Sequence, residues 1–139
     1  MKVITKYISI KSKGNAHIID ITPEVSAALS AAGVKKGTVT VFVQGSTAAL
    51  TTVEYEPGLI KDLNDLFEKI APSGVSYAHD RRWGDGNGHA HIRASAIGPS
   101  LIVPFVKGEL FLGTWQQIIF IDFDNKPRSR KIIAQFIGE

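Results

Sequence analysis

Three of the four histidines in the chain fall within thirteen residues, at positions 79, 89 and 91. From His89 to Ile97 polar residues alternate with small or apolar ones, so a β-strand would place His89 and His91 on one face. Two imidazoles about 7 Å apart along a strand can converge on one ion, with metal–nitrogen distances of about 2.1 Å. His79 lies upstream across a Gly-rich loop and is the expected third ligand. Three protein ligands with an open fourth position are typical of catalytic zinc, so the spacing predicts a divalent metal site.

Acid–base catalysis without a metal is the alternative for the same histidines. The carboxylates that would pair with an imidazole are Glu54, Asp80 and Asp85. Beside a metal, such a carboxylate would instead orient a ligating histidine. Ser46 and Thr47 also offer hydroxyl groups, but neither lies in a motif typical of a serine nucleophile.

Two other groups of residues are suited to ligand binding. The guanidinium groups of Arg128 and Arg130 match the geometry of phosphate oxygens. Trp115 and Gln116 place an aromatic ring and an amide close to Gly113, where a missing side chain permits close approach. A charged turn and a core tryptophan would need no ligand, so both interpretations stay open.

Composition limits the class of protein. The 139 residues contain no cysteine, which excludes disulfides, thiolate metal ligands and a cysteine nucleophile. No apolar stretch approaches the roughly 18 residues of a membrane helix, and the opening segment lacks the apolar core of a signal peptide. The net charge is +3, but basic residues are scattered among acids. We therefore expect a cytoplasmic protein with neither a membrane nor a nucleic acid as its partner.

Turn signals and hydrophobic periodicity predict one α+β domain over residues 1–139. The first helix begins at Thr22 and ends before Gly33. The second begins at Pro57, carries apolar residues at a 3.6-residue period and ends before Pro72. Short links between the strands require antiparallel pairing, so the fold expected is a sandwich or barrel, jelly-roll-like, with two helices against it. About eight strands are predicted, at residues 1–10, 17–21, 38–43, 46–55, 89–97, 101–106, 110–123 and 131–137.

A series of short motifs resembles the YjbQ family, also called UPF0047, over nearly the whole chain. The resemblance implies a compact subunit that forms a homotrimer and is linked to a secondary thiamine-phosphate synthase activity, which joins a pyrimidine pyrophosphate to a thiazole phosphate. It also implies metal ligation by the three clustered histidines, catalysis by Glu54, His79 and Arg130, and ligand binding by Ser46, Thr47, Trp115 and Gln116. The motifs are Ser46-Thr47-Ala48-Ala49-Leu50, Tyr77-Ala78-His79, Asn87-Gly88-His89-Ala90-His91, Gly98-Pro99-Ser100 and Gly113-Thr114-Trp115-Gln116.

The residues and the resemblance together predict a metal-dependent enzyme, with zinc the expected metal and a small phosphorylated metabolite the expected substrate. Two alternatives are a non-catalytic module that binds a small anionic ligand, and a structural trimer with a histidine metal site. One departure from the family pattern is Gly45, which stands directly before Ser46 where members often carry histidine. This change removes one imidazole from the expected site.

Overall fold

The computed structural model describes residues 1–139 as two antiparallel sheets and four helices. Every strand pair is antiparallel, which confirms the predicted α+β class with eight strands. In chain order the elements are β1 (Lys2–Ser12), β2 (His17–Asp20), α1 (Thr22–Ala32), β3 (Lys36–Val43), β4 (Ala48–Val53), α2 (Pro57–Ile70), α3 (Ala78–Trp83), α4 (Gly88–Ile97), β5 (Ser100–Val106), β6 (Glu109–Leu110), β7 (Gln117–Asp122) and β8 (Arg128–Gly138).

The two sheets enclose the larger of two hydrophobic cores. The five-stranded sheet has the order β1-β8-β3-β5-β6, and the three-stranded sheet has the order β2-β7-β4. Inward-facing residues of both sheets, such as Val41 and Phe136 from the larger and Leu50 and Phe120 from the smaller, belong to one buried cluster. Helix α1 contributes Val25 and Leu29 to the same cluster.

Helices α2 and α4 cover the other face of the three-stranded sheet, where the second core lies. Phe67 of α2 packs edge-on against Phe123, with ring centroids 4.8 Å apart. Ala90 and Ala94 of α4 are buried in the same cluster together with Ala49 of β4. Each strand of the three-stranded sheet therefore has two apolar faces, and this sheet forms the middle layer of the molecule.

Both predicted helices are confirmed, and two others were missed. The strand predicted over His89–Ile97 is wrong, because this segment is helix α4. Alanine favours helix, and Ala90 and Ala94, one turn apart, present small side chains to β4. That packing decides between the two periodicities that the segment's pattern permits. The Gly-rich loop predicted between the second helix and His89 contains the short helix α3.

The long strand predicted over residues 110–123 is also wrong in part. Residues 111–116 leave the sheet between β6 and β7. A turn closes this loop, since Gly113 O accepts a hydrogen bond from Gln116 N (3.1 Å) and Gly113 N donates to Gln116 Oε1 (3.0 Å). None of the four helices combines the length and the apolar content needed to cross a bilayer.

A candidate metal centre between two helices

His79, Asp85 and His91 come together on the surface formed by α3, α4 and the turn between them. One potential ligand atom of each lies within 4.8 Å of those of the other two. Nε2 of His79 is 3.1 Å from Oδ2 of Asp85, and the ring centroids of His79 and His91 are 4.4 Å apart. Ligands around a four-coordinate zinc at about 2.1 Å are spaced by roughly 3.4 Å. Small side-chain movements would bring these three donors to that spacing.

His89 lies away from this cluster, because residues two apart on a helix point in nearly opposite directions. The predicted set of His79, His89 and His91 depended on a strand that does not form. The ring of His89 is buried and lines a small cavity with Asn64, Glu68 and Arg93 on the α2 side of α4. Its burial lowers its pKa, and the positive charge of Arg93 lowers it further. Two of the predicted ligands are thus brought together, and Asp85 takes the place predicted for the third.

The cluster is held by contacts between the starts of α3 and α4. Asp80 accepts hydrogen bonds from the backbone N–H of Tyr77 (3.0 Å) and of Gly88 (2.9 Å), and these two bonds lower its pKa. Gly88 also approaches Tyr77 so closely that a Cβ atom at this position would lie 2.6 Å from Tyr77 Cβ. The glycine therefore permits the contact that sets His79 against His91.

Asp85 is oriented from the sheet side of the molecule. Its backbone oxygen accepts a hydrogen bond from Asn125 Nδ2 (2.8 Å), and its Oδ1 accepts one from Asn87 N (3.2 Å). Asn125 N donates in turn to Asn87 Oδ1 (3.0 Å). The hydrogen bond from His79 lowers the pKa of the Asp85 carboxyl group, so it is an anion at neutral pH. The predicted alternative of a histidine–carboxylate pair is thus present in the pairing of His79 with Asp85.

A cavity of about 160 Å³ adjoins the cluster, and His91 belongs to both. Its other walls include Gly45 and Ser46 on one side and Ser95 and Pro99 on the other. The predicted binding residue Ser46 therefore lines this cavity. Thr47 is buried behind it, where its hydroxyl donates to Asp124 Oδ2 (3.0 Å).

Arg130 forms a buried ion pair with the carboxylate of Asp122. Its Nε and Nη2 donate to the two carboxylate oxygens at 2.8 and 2.9 Å, and Nη2 also donates to Thr47 Oγ1 (2.7 Å). Asp122 is fully buried and accepts another hydrogen bond from Ser12 Oγ (2.6 Å). The hydrogen bonds with Asp122, and the negative charges of Asp122 and Asp124, raise the pKa of Arg130 above its ordinary value. Most of this guanidinium is committed to the fold.

The remaining amino group of Arg130 faces Gly45. A Cβ atom at position 45 would lie 2.9 Å from Arg130 Nη1. A histidine there would have to displace a guanidinium that Asp122 holds in place. The glycine and this position of Arg130 therefore occur together, and they leave the Nη1 amino group behind the cavity wall.

Glu54, Trp115 and Gln116 lie at the opposite end of β4. Val53 pairs with Gln117, whereas Ala48 at the other end of the strand pairs with Asp122. Six residues of strand, roughly 20 Å, separate Glu54 from the start of β4. Glu54 is exposed, the ring of Trp115 is 73% exposed, and Gln116 Nε2 donates to Thr52 Oγ1 (3.2 Å). Within one chain these residues do not join the histidine cluster.

Comparisons with known proteins agree with this fold. The family model described as "UPF0047 protein YjbQ-like" matches residues 6–139. A UPF0047 protein of Archaeoglobus fulgidus is 39% identical over 128 residues, which are 92% of this chain and 97% of the relative. One from Methanothermobacter thermautotrophicus is 35% identical over 139 residues, covering 100% and 95% of the two chains.

Solved structures of similar proteins extend the match to three dimensions. A YbjQ-like protein of unknown function from Sulfolobus solfataricus superposes with a TM-score of 0.93 at 31% identity, covering 99% of both chains. An uncharacterised YjbQ/UPF0047 protein from Clostridium acetobutylicum gives a TM-score of 0.86 at 36% identity, covering 95% of this chain and 99% of its own. The chain belongs to the YjbQ-like UPF0047 family.

Proposed function

We propose that this protein is a metal-dependent enzyme in which His79, Asp85 and His91 bind one divalent cation. The observation that supports the proposal is the convergence of these three donors beside a cavity that shares His91. Two imidazoles and one carboxylate are a donor set that proteins use for zinc and for ferrous iron. A cation bound there would polarise a carbonyl or phosphoryl oxygen and make water more acidic.

The protein residues around the cluster have separate roles in this proposal. Asp80 and the Asn87–Asn125 pair fix the backbone that carries the ligands, so little rearrangement accompanies binding. The low pKa of Asp85 keeps its carboxylate available to the cation. Ser46 and Ser95 line the cavity and place hydroxyl groups next to the substrate.

The substrate class that we propose is a small phosphorylated metabolite. A cavity of about 160 Å³ holds a phosphate group and little more, so the rest of the molecule would extend into solvent. The serine hydroxyls, and the one amino group of Arg130 behind Gly45 that Asp122 does not hold, are hydrogen-bond donors that favour an anionic group there. Thiamine-phosphate synthesis, which the family resemblance implies, is one reaction to include in an activity screen.

Metal analysis of untagged protein tests the proposal and separates the two possible ligand sets. We expect about one metal ion per chain, lost in His91→Ala and in Asp85→Asn because each removes a donor. His89→Ala is the matched control, since His89 is on the same helix but outside the cluster. Protein that binds no stoichiometric metal after reconstitution would refute the proposal. Equal metal loss in the His89 and His91 variants would refute this ligand set.

A further inference from the structure

A second and larger cavity, of about 440 Å³, lies between strands β4 and β5. It shares no lining residue with the cavity beside His91. Leu50, Leu101 and Leu112 contribute apolar surface, and Thr52, Ser100 and Gln116 contribute polar groups. This volume is within the range of sites that bind small molecules. Most of the lining residues are hydrophobic, but polar atoms make up the larger part of the exposed wall, so a ligand there would need both apolar surface and hydrogen-bonding groups.

No ionisable side chain lines this cavity. An ionic group buried there would lose hydration without gaining a partner of opposite charge. The cavity therefore favours an uncharged ligand, in contrast to the cation and anion chemistry proposed for the His91 cluster.

The amide of Gln116 is held in one orientation at the cavity wall. Its Oε1 accepts a hydrogen bond from Gly113 N (3.0 Å), and its Nε2 donates to Thr52 Oγ1 (3.2 Å). An amide has two lone pairs on oxygen and two N–H groups, so one acceptor and one donor remain for a ligand. A fixed donor next to a fixed acceptor complements a ring nitrogen beside an amino or amide group.

The backbone N–H and C=O groups of Thr52 on β4 and of Ile102 on β5 are also unpaired on the cavity side. Leu50 N donates to Gly98 O (3.0 Å) on the side away from β7, so Thr52, two residues on, directs its N–H and C=O to the same side. Pro104 O accepts from Phe111 N (2.9 Å) on the side away from β3, and Ile102 likewise directs its backbone there. These groups add neutral donors and acceptors.

Phe111 supplies the aromatic surface. Its side chain lines the cavity and is 73% exposed, which leaves a large apolar ring facing water. A flat ring stacked on it would remove that surface from water.

We propose that this cavity binds the flat, uncharged, nitrogen-containing ring of a small molecule, with Gln116 as the main hydrogen-bonding residue and Phe111 as the stacking surface. The inference does not depend on the proposed metal centre, because the two sites share no residue.

The test is a titration of the full chain with nicotinamide, adenine and cytosine, followed by ¹H–¹⁵N correlation spectra. At least one of these neutral rings should shift the Gln116 side-chain amide and the Thr52 and Ile102 backbone amides in a saturable way. Nicotinate has the same ring with a carboxylate in place of the amide, and it should bind at least tenfold more weakly than nicotinamide.

Variants identify the residues responsible. Gln116→Glu removes the donor and adds a charge, so it should weaken binding at least tenfold, and Phe111→Ala should weaken it severalfold. Trp83→Ala is the control, because Trp83 is similarly exposed on α3 and does not line the cavity. Three results would overturn the proposal: no saturable shift with any of the rings, equal binding of nicotinate and nicotinamide, or shifts at these amides that depend on protein concentration alone, which would indicate a second copy in the cavity.

Discussion

Arg130 shows that a basic residue near a candidate site can serve mainly the fold. Its side chain is 11% exposed, and its bidentate partner Asp122 is fully buried in the middle sheet. Asp124, also buried, has a lowered pKa: burial opposes ionisation, but hydrogen bonds from Thr47, Asn87 and Arg128 outweigh it. The sequence motif predicted a phosphate-binding arginine, whereas the structure gives most of this arginine a carboxylate partner of its own.

Replacement of Arg130 by methionine should therefore destabilise the protein. Asp122 would remain buried without a counter-charge, and breaking such a pair costs roughly 3–5 kcal/mol. The measurement is the free energy of unfolding from urea titration at pH 7. Arg128→Met is the control, because Arg128 is 45% exposed beside Asp124 and should cost less than about 1 kcal/mol. Similar losses in the two variants would contradict the anchoring role of Arg130.

The candidate site was predictable only in part from the sequence. The clustering of His79 and His91 with nearby acids identified the region, and Asp85 was among the carboxylates considered as partners. Its position depends on the turn between α3 and α4, where Gly84 and Gly86 both have φ of 66°. Residue spacing alone does not show which carboxylate such a turn places beside the histidines. Asp122 was not predicted as a site residue. It lies within a long apolar strand, and no sequence pattern pairs it with Arg130, eight residues later.

At the scale of elements, the wrong prediction for α4 had the largest consequence, because the expected set of metal ligands depended on it. Polar and small residues alternate from His89 to Ile97, which fits a strand, but Ala90 and Ala94 also repeat at one helical turn. Alanine can lie on either face of a helix or of a strand, so these residues do not decide between the two patterns. The choice is made by tertiary packing against β4, which local sequence does not contain. Apart from the break at residues 111–116, the remaining strands and α1 and α2 were predictable, because turn residues mark their ends and a 3.6-residue period marks α2.

Gly88→Ala tests whether the start of α4 positions the metal ligands. Alanine would stabilise an isolated helix by up to about 1 kcal/mol relative to glycine, yet its Cβ would lie 2.6 Å from Tyr77 Cβ. We expect a net loss of stability of about 1–3 kcal/mol and at least tenfold weaker metal binding, measured by urea unfolding and by competition with a chelator.

Gly113→Ala provides the comparison for that variant. A Cβ there would be 3.5 Å from its nearest neighbour, Gln116 Oε1, which is an ordinary contact. Its stability and metal affinity should stay close to those of the unmodified protein. Unchanged metal affinity in Gly88→Ala would show that the contact with Tyr77 does not set the ligand positions.

At the scale of the whole molecule, the outer face of the five-stranded sheet is unusually apolar. Val3 pairs with Ile137 across β1 and β8, and Tyr7 pairs with Ile133 in the same strands. Val3 and Tyr7 are 64% and 65% exposed, and Ile137 on β8 is 41% exposed. Apolar patches of this kind commonly mark protein–protein contacts.

We propose that this face takes part in the trimer that the family resemblance implies. Light scattering coupled to size exclusion should then give about three times the chain mass of 15.1 kDa, and Val3→Lys/Ile137→Lys should lower the measured mass by placing charges in the contact. Trp83→Lys, which changes an equally exposed aromatic residue on α3, should leave the mass unchanged. A monodisperse 15.1 kDa species at micromolar concentration would contradict the proposal.

The strand order also affects how the chain can fold. Strand β8 lies between β1 and β3, and its register with β1 extends from Lys2–Gly138 to Ser12–Arg128. Residues far apart in the sequence must therefore meet before β1 can join the large sheet. Contacts so distant in sequence slow the search for the native state. During synthesis β1 and β3 have no strand to join them until residues 128–138 are made, so until then the apolar surface of β1, β3 and β5 depends on other protection from aggregation.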